Sequence, residues 1–432
     1  MKVVVAGGGV AGCVSAMGLK KLGYEVILIH RPRSFEAYEG FSKRTVEALQ
    51  RSGCNHALKT IGPLSLRSSV WNGISRDANS EYLTFRPDFD SALLHDAMDN
   101  GVVLKEGSVI GSIVGDEKEI SVVYKTSQGK FTISGDAAID ARGRFTPFPT
   151  AYEYGPKSYS LLHKIAIPYD IPSRTTLHSV NDGWVWQASL GNGVGYLQMT
   201  CAFEIAQSIH HYNDLVVLLE SQENDMWVLH DAKAEGSLIR RDSYGKCHKN
   251  VVKGKIFQVG DAASSVDPLS GNGVFQSLSM ATILPYVIHT VLVRNESDTG
   301  IASVFYKERV KDLFNRYSRT GRDFYRSEEK FNGDFWTQRR SWPLDDTTEF
   351  NIRIEEKAIL KVPFIEQQRV VVTPNHPMGI SFFEGINIVP IVTELLSEPI
   401  EKRQNLLMST SQGMNVATLQ KFLLWMHENR MM

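Results

Sequence analysis

Three patterns in the sequence predict an α/β fold made of a parallel sheet, an inserted antiparallel sheet and a helical C-terminal region. A β-branched run, a glycine cluster and an amphipathic segment follow one another at the start of the chain. Residues 151–247 alternate apolar and polar side chains between Gly and Asn turns, the period of half-buried strands. Val304–Trp336 has the length and the aromatic spacing of a long helix.

Lys2–Ala6 reads as a buried parallel strand. Gly7-Gly8-Gly9-Val10-Ala11-Gly12 then fits G-x-G-x-x-G, Cys13–Leu22 has helical spacing with Gly23 as its stop, and Glu25–Ile29 is the second strand. A strand, glycine turn, helix and strand in that order specify a Rossmann-like βαβ unit that binds a dinucleotide. Gly7 permits the tight turn, Gly9 lets a diphosphate approach the backbone, and Gly12 lets helix and strand pack closely. Val10 and Ala11 open the helix whose N-terminus would face the diphosphate. The acidic residue expected to hold the ribose is replaced by His30, followed by Arg31. An imidazole can make that hydrogen bond, and Arg31 with Arg33 could equally mark a 2′-phosphate, so this position leaves FAD and NADP both open.

Later segments select FAD. Gly40–Leu49 resembles the helix after the second strand in flavoprotein hydroxylases, with Arg44 where an arginine reaches the diphosphate. Thr84–Leu93 resembles their next arginine-containing helix start, making Arg86 a cofactor candidate, and Ala137–Arg144 resembles their I-D-A-x-G-R turn, with Gly143 near the dinucleotide. Within Lys255–Val274, an apolar strand delivers Gly260-Asp261, placing a carboxylate where a ribityl hydroxyl can donate to it. Pro268-Leu269-Ser270-Gly271-Asn272-Gly273 then gives a small-residue backbone able to lie against a flat ring, with N–H groups near a helix start. No second G-x-G-x-x-G exists, so the reductant is expected to be transiently docked NAD(P)H or a separate flavin reductase.

These segments resemble the FAD-dependent aromatic hydroxylases, of the glutathione-reductase type of FAD-binding domain, and more closely the tryptophan-halogenase-like branch. Gly183-Trp184-Val185-Trp186-Gln187 sits where halogenases carry W-x-W-x-I-P, but Ala188-Ser189 replaces Ile-Pro. Asn272 stands where their flavin loop has serine or threonine. Ser65–Val70, before Trp71, lacks the lysine that carries the oxidised halogen, Lys59 being the nearest. The resemblance therefore implies a hydroxylase on a halogenase-like scaffold, similar to the group that oxidises tryptophan inside another polypeptide to make tryptophylquinone. It implies an electron-rich ring attacking a flavin C4a-hydroperoxide, a polypeptide substrate and a possible reductase partner. A small-indole or phenol hydroxylase or halogenase, and a reductase without oxygen chemistry, stay open as alternatives. Trp71, Trp184 and Trp186 are the candidate substrate-binding residues; no catalytic acid or base is assigned. The units expected are 1–150 with 248–295 for FAD, 151–247 for the substrate sheet, and 296–432 as mainly helical.

Composition narrows the classes. Lys+Arg total 47 against 48 Asp+Glu, a net charge of -1, which argues against nucleic-acid binding. Cys13, Cys54, Cys201 and Cys247 are too scattered for a disulfide framework or a thiolate metal site. His163, His178 and His210-His211 match no metal spacing and read as structural. Apolar stretches such as Ile283–Val293 fall short of the ~20 residues a bilayer needs, so membrane insertion is not expected. With no leader before the first strand, a cytoplasmic location is. The Arg- and Lys-rich Val304–Arg340 segment reads as a solvated helix face or a docking surface for an acidic protein.

Overall fold

The computed structural model describes the chain except at residues 34, 116–118, 148–151, 170, 223–225, 227–231, 345–351, 404–406, 408–414, 430 and 432. The first sheet runs Val252–Lys253, Ile256–Gln258, Ala137–Asp140, Lys2–Ala6, Glu25–His30, Val103–Glu106, parallel except at the Val252–Lys253 edge. Near-continuous apolar strands need cover on both faces, and both are covered. Val3, Val5, Val26, Leu28 and Ile139 join a core with the helices Val10–Lys21, Arg86–Asp99, Gly273–Ala281, Leu284–Arg294 and Ile301–Arg326. Val4, Ala6, Ile29 and Ala138 meet a small antiparallel sheet through Ile113, Ile120, Val122 and Tyr124.

The pairing register positions the site. Ala6 lies opposite Asp140, and Asp140 opposite Gln258, so three strands end level and release their chains at one edge. Gly7 N–H donates to the Ile29 carbonyl (2.8 Å), Ala141 N–H to Ala6 (2.8 Å) and Val259 N–H to Asp140 (3.1 Å), which extends the ladder into the loops. Ligands of open parallel sheets bind at such carboxyl edges.

The antiparallel sheet expected in 151–247 is present but larger. Its order is Lys233–Asp242, Tyr159–Ala166, Val194–Cys201, Gly183–Ser189, Arg174–Val180, Ile61–Trp71, Glu81–Phe85, Tyr38–Phe41, with Ile74–Asp77 also paired to Ile61–Trp71. Segment 1–150 thus supplies strands to both sheets, because residues 66–70 pair in parallel with 174–178; this contact is too distant in sequence for local patterning to reveal. The 150/151 limit lies outside the described residues. One face, with Leu161, Val185, Leu197 and Met199, packs on Phe203–Ser208 and Tyr212–Glu220. The other carries Leu177, Trp184, Trp186 and Trp71.

The C-terminal region corrects the sequence reading twice. The long helix ends at Arg326 rather than Trp336; Glu328 turns the chain by accepting from Asn72 N–H (2.7 Å) and Lys330 N–H (2.8 Å), and Asp334–Arg340 is a separate helix. Arg353–Lys361, Phe364–Thr373 and His376–Ile380 form an antiparallel sheet that packs with the helices Val389–Ser397 and Val416–Glu428. Pro363 and Pro374 fall at its turns. The bilayer estimate also changes: Gly273–Arg294 spans 22 residues and is long and apolar enough to cross a membrane, yet 56% of its most apolar window is buried inside the fold, as in a core helix.

Gly12 tests the first turn. A Cβ there would stand 1.9 Å from the Gly7 carbonyl oxygen, so Gly12→Ala is expected to destabilise the apoprotein by about 2 kcal/mol or more, read as a shift in the denaturant midpoint.

Candidate active site

The level strand ends gather the glycine-bearing segments. Gly7 has φ +121° and lies against Ala141, where a Cβ would be 2.3 Å from the carbonyl oxygen. A Cβ on Gly260 would meet the Ala11 side chain at 2.8 Å, and one on Gly143 would sit 4.0 Å from Asp261 Cβ. Gly7–Gly12, Gly143 and Gly260-Asp261 therefore form one cluster. Asp261 is partly exposed and faces Arg144 (Nε to Oδ2 3.6 Å). The next loop is shaped from within: Asp267 accepts from Leu269 N–H (3.0 Å), Asn272 Nδ2 donates to the Ser270 carbonyl, and Gly271 has φ +62°. Pro268 opens its short turn and Gly273 starts the following helix. Arg44 is exposed, its guanidinium 4.3 Å from the centre of the Phe275 ring on that helix.

An FAD-type dinucleotide fits these residues. Nothing lies within 4 Å of a Cβ built on Gly9, Gly271 or Gly273, which leaves the backbone open to close approach. Val10 and Ala11 form the first helical turn, directing N–H groups at that opening. His30 lies beside Gly8, and its Nδ1 is buried with no hydrogen-bond partner among the described residues; a ribose hydroxyl would satisfy it. Burial holds the His30 imidazole below its ordinary pKa despite Glu106, favouring the neutral ring. Arg31 is exposed on the turn that follows.

The tryptophan face of the large sheet meets the second loop. Trp184 and Leu177 share an apolar cluster with Leu269, Tyr325, Phe335 and Trp336, against which Trp71 and Trp186 pack. Trp184 is buried; its Nε1–H donates to Tyr325 Oη (3.0 Å), and Tyr325 donates in turn to both oxygens of Asp267 (3.1 Å each). Burial pushes the Asp267 carboxyl above its usual range, with Arg339 opposing. Trp71 crosses Trp336 edge-on, with ring centres 5.5 Å apart. Trp186 donates to Glu81 Oε1 (3.3 Å), which also takes the Thr175 hydroxyl (2.5 Å). Trp71 and Trp186, both partly exposed, are the two of the three that can offer a ring to a substrate. Tyr325, Asp267, Trp336 and Glu81 escaped the sequence reading because only tertiary contacts join them.

Arg86, a cofactor candidate in the sequence, is buried between Glu39 (2.8 Å) and Asp90 (2.7 Å), and its guanidinium links the sheet to the Arg86–Asp99 helix. Burial alone would raise the Glu39 carboxyl, but Arg86, Arg241 and Arg33 outweigh it and hold it low. Arg33 pairs with Asp90 (2.8 Å). In the basic C-terminal segment Arg322 and Arg339 are buried, Arg322 donating to the Pro343 carbonyl and Arg339 to those of Phe335 and Lys157, while Lys311, Arg316 and Arg326 are exposed, Arg326 donating to the Arg340 carbonyl.

The Trp184–Tyr325–Asp267 chain invites a direct test. Tyr325→Phe leaves a buried indole N–H and a buried carboxyl without their shared hydroxyl, a loss of roughly 1–3 kcal/mol, measurable by equilibrium denaturation; a change below about 0.5 kcal/mol would contradict these bonds.

With this geometry in view, comparison with known proteins is specific. Residues 2–60 match the pyridine nucleotide-disulphide oxidoreductase family model, and residues 68–390 match that of tryptophan halogenase. Tryptophan 2-halogenase of Chondromyces crocatus is 24% identical over 78% of this chain and 70% of its own. The solved structure of the peptidyl tryptophan dihydroxylase QhpG, essential for tryptophylquinone cofactor biogenesis, superposes with TM-score 0.79 and 32% identity over 99% of this chain and 98% of its own. The flavin-dependent halogenase CmlS shares the fold, with TM-score 0.77 and 14% identity over 100% and 95% of the two chains. An FAD-type glycine cluster beneath a tryptophan-bearing sheet, together with a match over most of the length, places this chain in the tryptophan halogenase family, as a flavin-dependent oxidoreductase.

Proposed function

We propose that the protein is an FAD-dependent monooxygenase that hydroxylates a tryptophan side chain within a peptide or protein, in the manner of tryptophylquinone biogenesis. The observation that carries this reading is the full-length likeness, at 32% identity, to a peptidyl tryptophan dihydroxylase. Two local features favour oxygen over halogen transfer. The strand entering Trp71, Ser65–Val70, carries no lysine, and Asn272, whose amide is bonded to Ser270, stands in the flavin loop.

FAD, when bound, supplies oxygen activation; this chain supplies place and surroundings. Backbone N–H groups at Gly9–Ala11 would hold the diphosphate, His30 the adenosine ribose, Asp261 a ribityl hydroxyl, and Asn272-Gly273 the edge of the ring. Arg44, at the start of the helix Lys43–Ser52 and against Phe275, stands where it could add a cation to the diphosphate. Above the loop, Trp71 and Trp186 offer faces on which an incoming indole can stack. Glu81 fixes the Trp186 ring by accepting its N–H, and Leu269, Phe335 and Trp336 keep that side of the cluster dry. Reducing equivalents would come from NAD(P)H or a partner flavin reductase.

Two outcomes test the reading. Holoenzyme supplied with a reductase and dioxygen is expected to add one or two oxygen atoms to the indole of a tryptophan-containing peptide, seen by mass spectrometry and abolished without oxygen. Halogen incorporation from a chloride or bromide buffer, or turnover without oxygen, would overturn it. Gly9→Ala, whose new methyl meets no protein atom within 4 Å, is expected to leave apoprotein stability within about 0.5 kcal/mol. It should weaken FAD binding roughly tenfold or more by crowding the diphosphate, measured by flavin fluorescence titration.

A further inference from the structure

A buried ammonium without a counter-ion is costly, and a chain keeps one only where something anionic meets it. Lys246 comes close to this, a largely buried lysine with no direct ion pair among the described residues. It is 7% exposed, in the short strand Lys246–His248 that lies between Tyr152–Tyr154 and Ser264–Ser265. Among the described residues its ammonium makes no hydrogen bond or ion pair; its contact is the face of Tyr152, 4.2 Å from the ring centre. The surroundings lead back to the cofactor cluster. The Tyr152 hydroxyl donates to the Ala262 carbonyl (2.7 Å), one residue beyond Asp261. Arg144, which faces Asp261, donates to the Tyr244 carbonyl (3.0 Å), two residues before Lys246. Burial pushes the Lys246 ammonium down to about 8 and Arg144 pushes the same way, against Asp261 and Asp242. It therefore stays mostly charged at neutral pH, and two cations share one neighbourhood with the carboxylates of Asp261 and Asp242.

We propose that Lys246 and Arg144 form an anion-binding pair beside Asp261 that takes up negative charge of the bound flavin nucleotide, from its diphosphate or from the reduced ring. This rests on the FAD-binding reading of the glycine cluster and adds two residues to it. Arg144 comes from the turn at Gly143–Phe145 and Lys246 from a short strand of no recognised motif.

The test compares wild type, Lys246→Met and Lys246→Arg as purified apoproteins. Lys246→Met should melt no lower than wild type, because it removes a largely buried ammonium that makes no direct ion pair, while binding FAD roughly tenfold or more weakly with riboflavin affinity unchanged; that pattern assigns the diphosphate. Unchanged affinities with a lowered midpoint potential of bound FAD would assign the reduced ring. Lys246→Arg should restore whichever property was lost. Equal losses for FAD and riboflavin, or no change in affinity and potential, would overturn the proposal. If wild type itself binds no FAD, the underlying cofactor reading fails instead.

Discussion

The level register of Lys2–Ala6, Ala137–Asp140 and Ile256–Gln258 is the constraint on which the site depends. Parallel pairing fixes Ala6, Asp140 and Gln258 side by side, and three loops far apart in the chain must then leave from one edge. Bringing such distant segments together carries a loop-closure cost that only the buried apolar strands can offset. The glycines act on this frame locally. Gly7 and Gly12 let the first turn close onto Ala141, and Gly260 lets the last strand end against Ala11. A one-residue slip in any of the three strands would leave each motif intact and the site dismantled.

The second level of organisation joins the two sheets. Asp267 shapes the flavin loop through Leu269 N–H and receives Tyr325 from the Ile301–Arg326 helix, which in turn receives Trp184 from the large sheet. One hydroxyl thus connects loop, helix and sheet in a buried environment where each unmade bond is expensive. Arginines of the C-terminal helices reinforce this by capping carbonyls across the same region. The tryptophan-bearing face of the large sheet is therefore tied to the loop beneath it, the kind of rigid support that orienting a reacting ring requires.

Legibility in the sequence followed the range of each interaction. The βαβ start, its glycines and the Gly-Asp turn were readable because a strand, a tight turn and a helix start impose local residue choices, and the structure brings Gly7–Gly12, Gly143 and Asp261 together. The carboxylates around Arg86 were not readable because an arginine at a helix start has the same local signature whether it meets a phosphate or side chains such as Glu39 and Asp90. The pairing of residues 66–70 with 174–178 and the sheet at residues 353–380 were invisible because strand pairing between distant segments leaves no periodic trace. Lys246 lies in a three-residue strand, too short to signal its own burial.

One flavin nucleotide is expected to bridge the glycine cluster and the loop beneath the tryptophan sheet. In a crystal structure of the FAD-loaded protein, the diphosphate should lie at the Gly9–Ala11 N–H groups and the isoalloxazine along Asn272-Gly273, on the side of Trp71 and Trp186. A diphosphate held elsewhere, or a ring separated from those tryptophans by the packed core, would contradict it.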